Sequence, residues 1–149
     1  MLHSKKAFTM LELVFVIVIL GILSSVAITK LSVTRDDAII AKGRNQVHAI
    51  RSAISLQRSK NMLRGSLSYP SSLDDAALNT EHEELFDGNS TNPLLEYPIY
   101  SKSKDGWMKV GANSYDFNVM GTSVRFNYNS STGKFDCNHS INLCKQLTE

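Results

Sequence analysis

A run of apolar residues close to the amino terminus constrains the fold of this chain more than any other feature. No charged residue occurs from Leu13 to Thr29, a stretch that measures about 26 Å as an α-helix, and starting at Phe8 lengthens it to about 33 Å. This length is enough to cross the hydrocarbon core of a bilayer. The sequence therefore predicts a membrane helix over residues 8–29.

Two features distinguish this segment from an ordinary secretory signal. The basic pair Lys5-Lys6 and the small residue Ala7 both precede the apolar run, whereas a signal peptidase site follows such a run. Cleavage at Ala7 would leave the apolar helix on the mature protein. Glu12 places a carboxylate inside the segment, which costs a few kcal/mol and indicates a functional residue that needs a cationic partner.

The residues Lys5-Lys6-Ala7-Phe8-Thr9-Met10-Leu11-Glu12-Leu13 resemble the type III signal of type IV pilins and type II secretion pseudopilins. The resemblance implies that a prepilin peptidase removes residues 1–7 by cutting between Ala7 and Phe8, and then methylates the new amine of Phe8. It also implies that Glu12 pairs with the amino terminus of a neighbouring subunit and so sets the register of assembly.

A plain signal anchor that is never cleaved is the alternative for residues 5–29. Lys5 and Lys6 would hold its amino terminus inside by the positive-inside rule. This alternative explains the orientation but leaves Glu12 without a role, so we favour the pilin-like interpretation.

A second apolar pattern continues the helix beyond Thr29. Apolar or small residues recur at steps of three, four and seven, which predicts an amphipathic helix over residues 30–65 that packs on a globular head. From Phe8 to Leu63 the helix would be about 84 Å long, a length that suits stacking in a filament core. The stripe consists of Val33, Ile40, Gly43, Val47, Ile50 and Ile54.

Charge is distributed unevenly between this helix and the head. Residues 30–65 carry eight Lys or Arg and two Asp, whereas residues 66–149 carry six Lys or Arg and eleven acids. Five of the helix cations lie mostly off the apolar stripe, where they either form a solvated face or contact the acidic head of an adjacent subunit. These five are Arg35, Lys42, Arg44, Arg51 and Arg58.

Residues 66–149 predict a globular head. A loop comes first, with a short helix around Leu73 to Leu78 that Ser71 or Ser72 would cap. Apolar and polar residues then alternate over four segments separated by turn residues, which predicts a four-stranded antiparallel meander with one apolar face. The fold class is therefore α+β, a long amino-terminal helix packed on a carboxy-terminal antiparallel sheet of about four strands. The predicted inward residues are Trp107, Tyr115, Phe117, Val119, Val124, Phe126, Tyr128 and Phe135.

Cys137 and Cys144 are the only cysteines of the chain. The predicted orientation places them outside the cytoplasm, where disulfides persist, so we expect them to be joined. Type IV pilins often carry a similar carboxy-terminal disulfide loop. Two free thiols are one alternative, and a metal site is a weaker one because His139 is the sole nearby imidazole. We assign no metal and no cofactor.

Two asparagines, Asn89 and Asn138, begin Asn-x-Ser/Thr tripeptides and follow an aspartate at the second position before them. This pattern resembles the extended acceptor of bacterial oligosaccharyltransferases. Chance occurrence in an Asn- and Ser-rich chain is the alternative that we favour.

Enzymatic motifs are missing from the sequence. It contains no Gly-x-Ser-x-Gly elbow, no phosphate loop and no His pair at metal-ligand spacing, so we predict that the protein is not an enzyme. The acidic head gives no basis for direct nucleic-acid binding.

The resemblance to pilins implies a structural function. The expected protein is a pseudopilin, single-pass in the inner membrane with its head in the periplasm, that assembles into a periplasmic pseudopilus for type II secretion or for DNA uptake in transformation. Its expected partners are copies of itself, other pilin-like subunits, the prepilin peptidase and the inner-membrane assembly platform. The alternatives are a minor subunit of a surface type IV pilus and a signal-anchored periplasmic binding domain that never polymerises.

Overall fold

A long helix and a four-stranded sheet make up most of the protein. The computed structural model describes residues 8–149, and for Thr29, Ser32 and Val33 it describes the backbone only. Helix α1 spans Met10–Leu63, 54 residues in all. The chain divides within this helix into two compact units, Met1–Arg35 and Asp36–Glu149. The predicted segment boundaries at residues 7, 29 and 65 separate parts of different expected function rather than compact units, and they stay predictions.

Helix α1 ends where its sequence predicts. Gly65 has a positive φ of 85°, a left-handed conformation that glycine adopts without a steric cost. The N–H of Gly65 donates to the carbonyl of Met62 and the N–H of Ser66 donates to that of Asn61. Together these bonds form a Schellman motif, which satisfies the last carbonyls of the helix.

Six strands follow, of which the last four form the predicted meander. Strands β1 (Glu84–Leu85) and β2 (Ile99–Tyr100) make a two-residue antiparallel ribbon. The main sheet is antiparallel in the order β3-β4-β5-β6, so the α+β fold and the meander are confirmed. A short helix α2 closes the chain. The remaining bounds are β3 Gly106–Gly111, β4 Ser114–Val119, β5 Thr122–Asn129, β6 Lys134–Cys137 and α2 Asn142–Thr148.

One face of the sheet and one face of the second half of α1 share a single core. All eight predicted inward residues of the sheet are buried, as are Val47, Ile50 and Ile54 of the helix. Aromatic rings fill the space between them, for example Trp107 and Phe117 with ring centroids 4.9 Å apart. Edge-on and tilted ring pairs of this kind add to the free energy gained by burying their area.

The prediction of a short helix from Leu73 to Leu78 was wrong. No helix forms there, because Asp74 turns inward and its carboxylate accepts hydrogen bonds that a helix would not allow. Its Oδ1 accepts the N–H of Ala76 at 3.3 Å and lies 2.7 Å from Nζ of Lys109, and its Oδ2 accepts the hydroxyl of Tyr115 at 2.8 Å. Burial and the charge of Asp74 raise the pKa of Tyr115 far above its ordinary value, so this hydroxyl keeps its proton and remains a donor.

Candidate processing and assembly site

The predicted cleavage site lies at the start of α1. Phe8 precedes the helix by two residues and is 77% exposed, so its side chain is not packed into a fold that cleavage would disturb. Ala7, on the other side of the predicted cut, lies outside the described residues. An accessible, non-helical peptide segment is what a peptidase requires of a substrate.

Glu12 belongs to a capping box at the amino terminus of α1. Its N–H donates to Oγ1 of Thr9 at 3.2 Å, and its Oε2 lies 3.5 Å from the N–H of Thr9 as the acceptor of a long return bond. Reciprocal bonds of this kind satisfy two N–H groups at the start of a helix. They also place the Glu12 carboxylate beside the backbone of Thr9, the residue that follows Phe8. Thr9 was not among the predicted site residues, although the Thr-x-x-Glu spacing is visible in the sequence.

The segment after Glu12 presents its apolar side chains outward. Met10–Ile28 has a mean hydropathy of 2.7 over 19 residues and is long and apolar enough to cross a membrane, and none of it is buried within the described protein. Its hydroxyls bond back to its own backbone, Ser24 to the carbonyl of Leu20 and Ser25 to that of Ile22. Polar groups satisfied within the helix lower the cost of an apolar environment.

The five basic side chains of α1 singled out in the sequence were predicted either to form a solvated face or to contact the head of an adjacent subunit, and the structure shows a different contact for most of them. Three of the five bind the head of their own chain, so for these three neither a solvated face nor a neighbour's head is the principal contact. The contacts are Arg44 Nε to the carbonyl of Gln146 (2.7 Å), Arg51 Nη2 to Asp136 Oδ1 (3.0 Å) and Arg58 Nη1 to the hydroxyl of Tyr69 (2.6 Å).

The structure joins Cys137 and Cys144 by a disulfide, with their Cα atoms 5.9 Å apart. Cys137 ends β6, and Cys144 lies in the first turn of α2. Leu143 and Leu147 of this helix are buried in the core on either side of Cys144. The disulfide therefore ties the terminal helix to the last strand at a point where both already contact the core.

Asp136 is surrounded by three basic side chains. Its carboxylate lies 3.0 Å from Arg51, 3.2 Å from Lys134 and 3.0 Å from His139. Burial alone would raise its pKa, but hydrogen bonds from the N–H of Cys137 and from the His139 and Lys134 side chains, together with the charge of Arg51, lower the pKa below its ordinary value. The carboxylate is therefore ionised at neutral pH.

The two candidate acceptor asparagines are exposed and lie in tight turns. Asn89 Oδ1 accepts the N–H of Thr91 at 3.1 Å, and Asn138 Oδ1 accepts the N–H of Ser140 at 3.0 Å. Asp136, which precedes Asn138 by two residues, is held by its basic neighbours rather than presented to solvent. Chance occurrence of these two tripeptides, rather than glycosylation, stays the prediction that we favour.

One comparison with known proteins identifies the amino-terminal site. A family model described as the prokaryotic N-terminal methylation motif matches residues 2–28. No curated protein and no solved structure gives a significant match to the chain. The matched motif, the exposed apolar helix and the α+β head are together consistent with a type IV pilin-like prepilin protein. The match covers the leader, the predicted cut, Glu12 and most of the apolar segment, and it does not extend to the head.

Proposed function

We propose that this chain is a structural pilin-like subunit, a pseudopilin, that waits in the inner membrane and then assembles through its amino-terminal helix into a periplasmic pseudopilus. One observation carries the proposal: the methylation motif includes an apolar helical segment, Met10–Ile28, that nothing in the described chain covers. Such a surface is stable in lipid, and it is equally stable against the same surface of other subunits, because both surroundings are apolar.

The same features support a route from the membrane to the filament. A methylation motif is cut and methylated by a prepilin peptidase, and the helix that remains is the part that enters a filament core. Copies of this chain, other pilin-like subunits and the inner-membrane assembly platform are the partners that this route requires. We propose type II secretion or DNA uptake as the process served, and a structural rather than an enzymatic role.

The position of Glu12 supports a place in the shaft. In the pilin-like family that residues 5–13 resemble, the tip-most subunit lacks the acid at this position. The presence of Glu12, with its carboxylate exposed beside the amino terminus of α1, therefore favours a shaft or near-tip subunit.

The first prediction concerns processing. The mature protein is expected to begin at Phe8 with a methylated amine, because cleavage before Phe8 removes the charged leader and leaves the apolar helix intact. Intact-mass analysis of protein extracted from membranes should show loss of residues 1–7 and gain of one methyl group.

Two variants at the cut sharpen this test. Ala7→Gly should be processed at least as fast as the natural chain, because it removes a methyl group from the residue at the cut, whereas Ala7→Arg should block cleavage through its bulk and charge. Recovery of a functional protein that begins only at Met1 or Leu2 would overturn the proposal and favour a signal-anchored domain that does not polymerise.

A further inference from the structure

We propose that Lys109 and Asp74 become joined by an isopeptide bond, formed between Nζ of the lysine and the side-chain carboxyl group of the aspartate with loss of one water molecule. The contact between these two side chains described above is the reactant state of the reaction. This inference depends on the geometry of the head and does not rest on the proposed filament function.

The two reacting groups touch in a site that excludes water. Nζ of Lys109 lies 2.7 Å from Oδ1 of Asp74, and the two side chains are 7% and 0% exposed. A contact held in this way gives an intramolecular reaction a very high effective concentration. Because the site is dry, hydrolysis of the product is also suppressed.

The two carboxylate oxygens of Asp74 have different surroundings, and this assigns a role to each. Oδ2 accepts the hydroxyl of Tyr115 at 2.8 Å and the N–H of Phe86 at 3.0 Å. Two donors aimed at one carboxyl oxygen stabilise the negative charge that develops on it when an amine attacks the carboxyl carbon. Oδ1 faces the amine and is therefore the oxygen that leaves.

The protons and electrons of the step balance within the pair. One proton passes from the Lys109 ammonium group to Oδ1, and the lone pair that this leaves on Nζ attacks Cγ of Asp74. A second proton then moves from Nζ to Oδ1, the Cγ–Oδ1 bond breaks and water leaves. The product is a neutral amide, and no oxidant, reductant or further reactant is consumed.

The product amide finds its hydrogen-bond partners already in place. Its carbonyl oxygen, Oδ2, keeps the donors from Tyr115 and Phe86. Its N–H faces the backbone carbonyl of Asp74, which lies 3.3 Å from Nζ. The bond given up is the long one from the N–H of Ala76 to Oδ1, at 3.3 Å. An amide whose N–H and carbonyl both have partners is at home in a protein core.

Condensation also removes two charges from the core. A buried ion pair loses the hydration of both partners, whereas a neutral amide has no charge to desolvate. Burial, which is the first cause of the raised pKa values of Asp87 and Tyr115, remains after the bond has formed.

An exposed pair of the same residue types is the internal control. Nζ of Lys134 lies 3.2 Å from Oδ2 of Asp136, but the lysine side chain is 73% exposed. Water solvates this ammonium group, and an ammonium group has no lone pair with which to attack. We therefore expect Lys134 and Asp136 to stay unlinked.

The test is peptide mapping by mass spectrometry of the full chain, extracted in detergent, denatured and reduced so that the disulfide does not contribute. Trypsin should fail to cut after Lys109 and should yield one branched species that joins residues 65–102 to residues 105–125. This species should be lighter than its two parts by one water molecule, and trypsin should still cut after Lys134. Separate, unlinked peptides 65–102 and 105–109 would overturn the proposal.

Variants separate a covalent bond from a strong ion pair. Lys109→Met should remove the branched species, and Lys134→Met should leave it unchanged. Tyr115→Phe keeps the ring but removes one donor to Oδ2, so the branched species should form more slowly, by roughly a hundredfold or more, in spectra taken at intervals after synthesis. The near-ultraviolet spectrum of Trp107 checks that the head is folded. Formation at the natural rate in folded Tyr115→Phe would overturn the roles assigned to the two oxygens.

Discussion

Individual carboxylates in this protein differ in how many hydrogen bonds and ion pairs their surroundings supply. Asp74 is fully buried and is surrounded by Lys109, Tyr115 and backbone N–H groups, so its charge is compensated within the chain. Glu12 is exposed and accepts one long bond from Thr9. The carboxylate of Glu12 therefore keeps the capacity to bind a further cation, as a residue that pairs between subunits requires.

At Glu12, we expect Glu12→Ala to block assembly while processing and head folding continue. The amine that the predicted cleavage would create on Phe8 is mostly cationic at neutral pH, and within a filament of the variant it would lose water without gaining a carboxylate, at a cost of several kcal/mol. Crosslinking along the helix, in cells that express only the variant, should lose the multimer ladder.

Thr9→Val is the matched control for this prediction. It removes the hydroxyl that accepts the N–H of Glu12 but keeps the carboxylate, so it should retain the ladder. Normal ladders from Glu12→Ala or Glu12→Gln would contradict a pairing role.

At Asp87, a replacement should stabilise the head. Burial and, after it, the charges of Asp74, Asp75 and Glu84 raise the pKa of Asp87 above its ordinary value of 3.8, and its Oδ1 is buried without a partner among the described atoms. Ionisation of Asp87 therefore lowers the free energy of unfolding. This loss is absent below pH 3.8, where Asp87 is protonated in both the folded and the unfolded state, and it grows as the pH rises towards the folded-state pKa.

Asp87→Asn should accordingly raise the free energy of unfolding at pH 7 by about 0.5 kcal/mol, a modest gain because solvent screens a partly exposed group. The gain should disappear below about pH 4. Urea unfolding of both chains across this range measures the effect, and a gain independent of pH would rule out the ionisation account.

The helices and strands that could be predicted from sequence are those with a periodic pattern. A continuous apolar run and then a three-to-four-residue stripe mark α1, and alternation marks the meander, most regularly in β4 and β5, so both were predicted from apolar positions alone. Strands β1 and β2 have two residues each and cannot show a period. The absence of a helix near Asp74 depends on Lys109, 35 positions away, which no local pattern encodes.

The residues of the candidate site likewise divide into those that could be predicted from sequence and those that could not. Phe8 and Glu12 could be placed in the matched motif because their spacing is local, although their roles stay predictions. The disulfide could be predicted because Cys137 and Cys144 are the only two cysteines in the chain. The neighbours of Asp136 were not predictable, since Arg51 comes from α1, 85 positions away. Lys109 occupies an inward position of an alternating strand, and that was the one available signal of a buried ion pair.

Helix α1 offers a matched pair of glycines for the next prediction. A methyl group on Gly43 would lie 2.5 Å from the ring of Phe117 and 2.7 Å from Leu147, whereas one on Gly21 would meet nothing within 4 Å. Gly43→Ala should therefore destabilise the head by about 1–3 kcal/mol through overpacking. Gly21→Ala should leave head stability unchanged.

Thermal unfolding of the full chain, followed through the near-ultraviolet signal of Trp107, compares the two variants. Equal stability of Gly43→Ala and the natural chain would show that the helix can move away from the sheet.

At the scale of the whole molecule, the compact unit Asp36–Glu149 contains the core, the disulfide and both ends of the sheet. We expect a shortened chain of residues 36–149 to fold as a soluble monomer. Asp36 and Asp37 would then lie at the new helix amino terminus, where negative charge is favourable. Size-exclusion chromatography and Trp107 fluorescence test this, and an aggregated or unfolded product would show that the head needs the apolar helix.

Three backbone carbonyls on the two outer strands of the sheet, two on β3 and one on β6, already accept hydrogen bonds from elsewhere in the chain. An open strand edge templates pairing with other chains and leads to aggregation. Because these three carbonyls are bonded within the molecule, fewer edge groups are open to another chain, and we expect the head to resist amyloid-like stacking even at high local concentration. The closing bonds run from the N–H of Lys102 to the carbonyl of Trp107, from the N–H of Asn79 to the carbonyl of Lys109, and from Arg51 Nε to the carbonyl of Phe135.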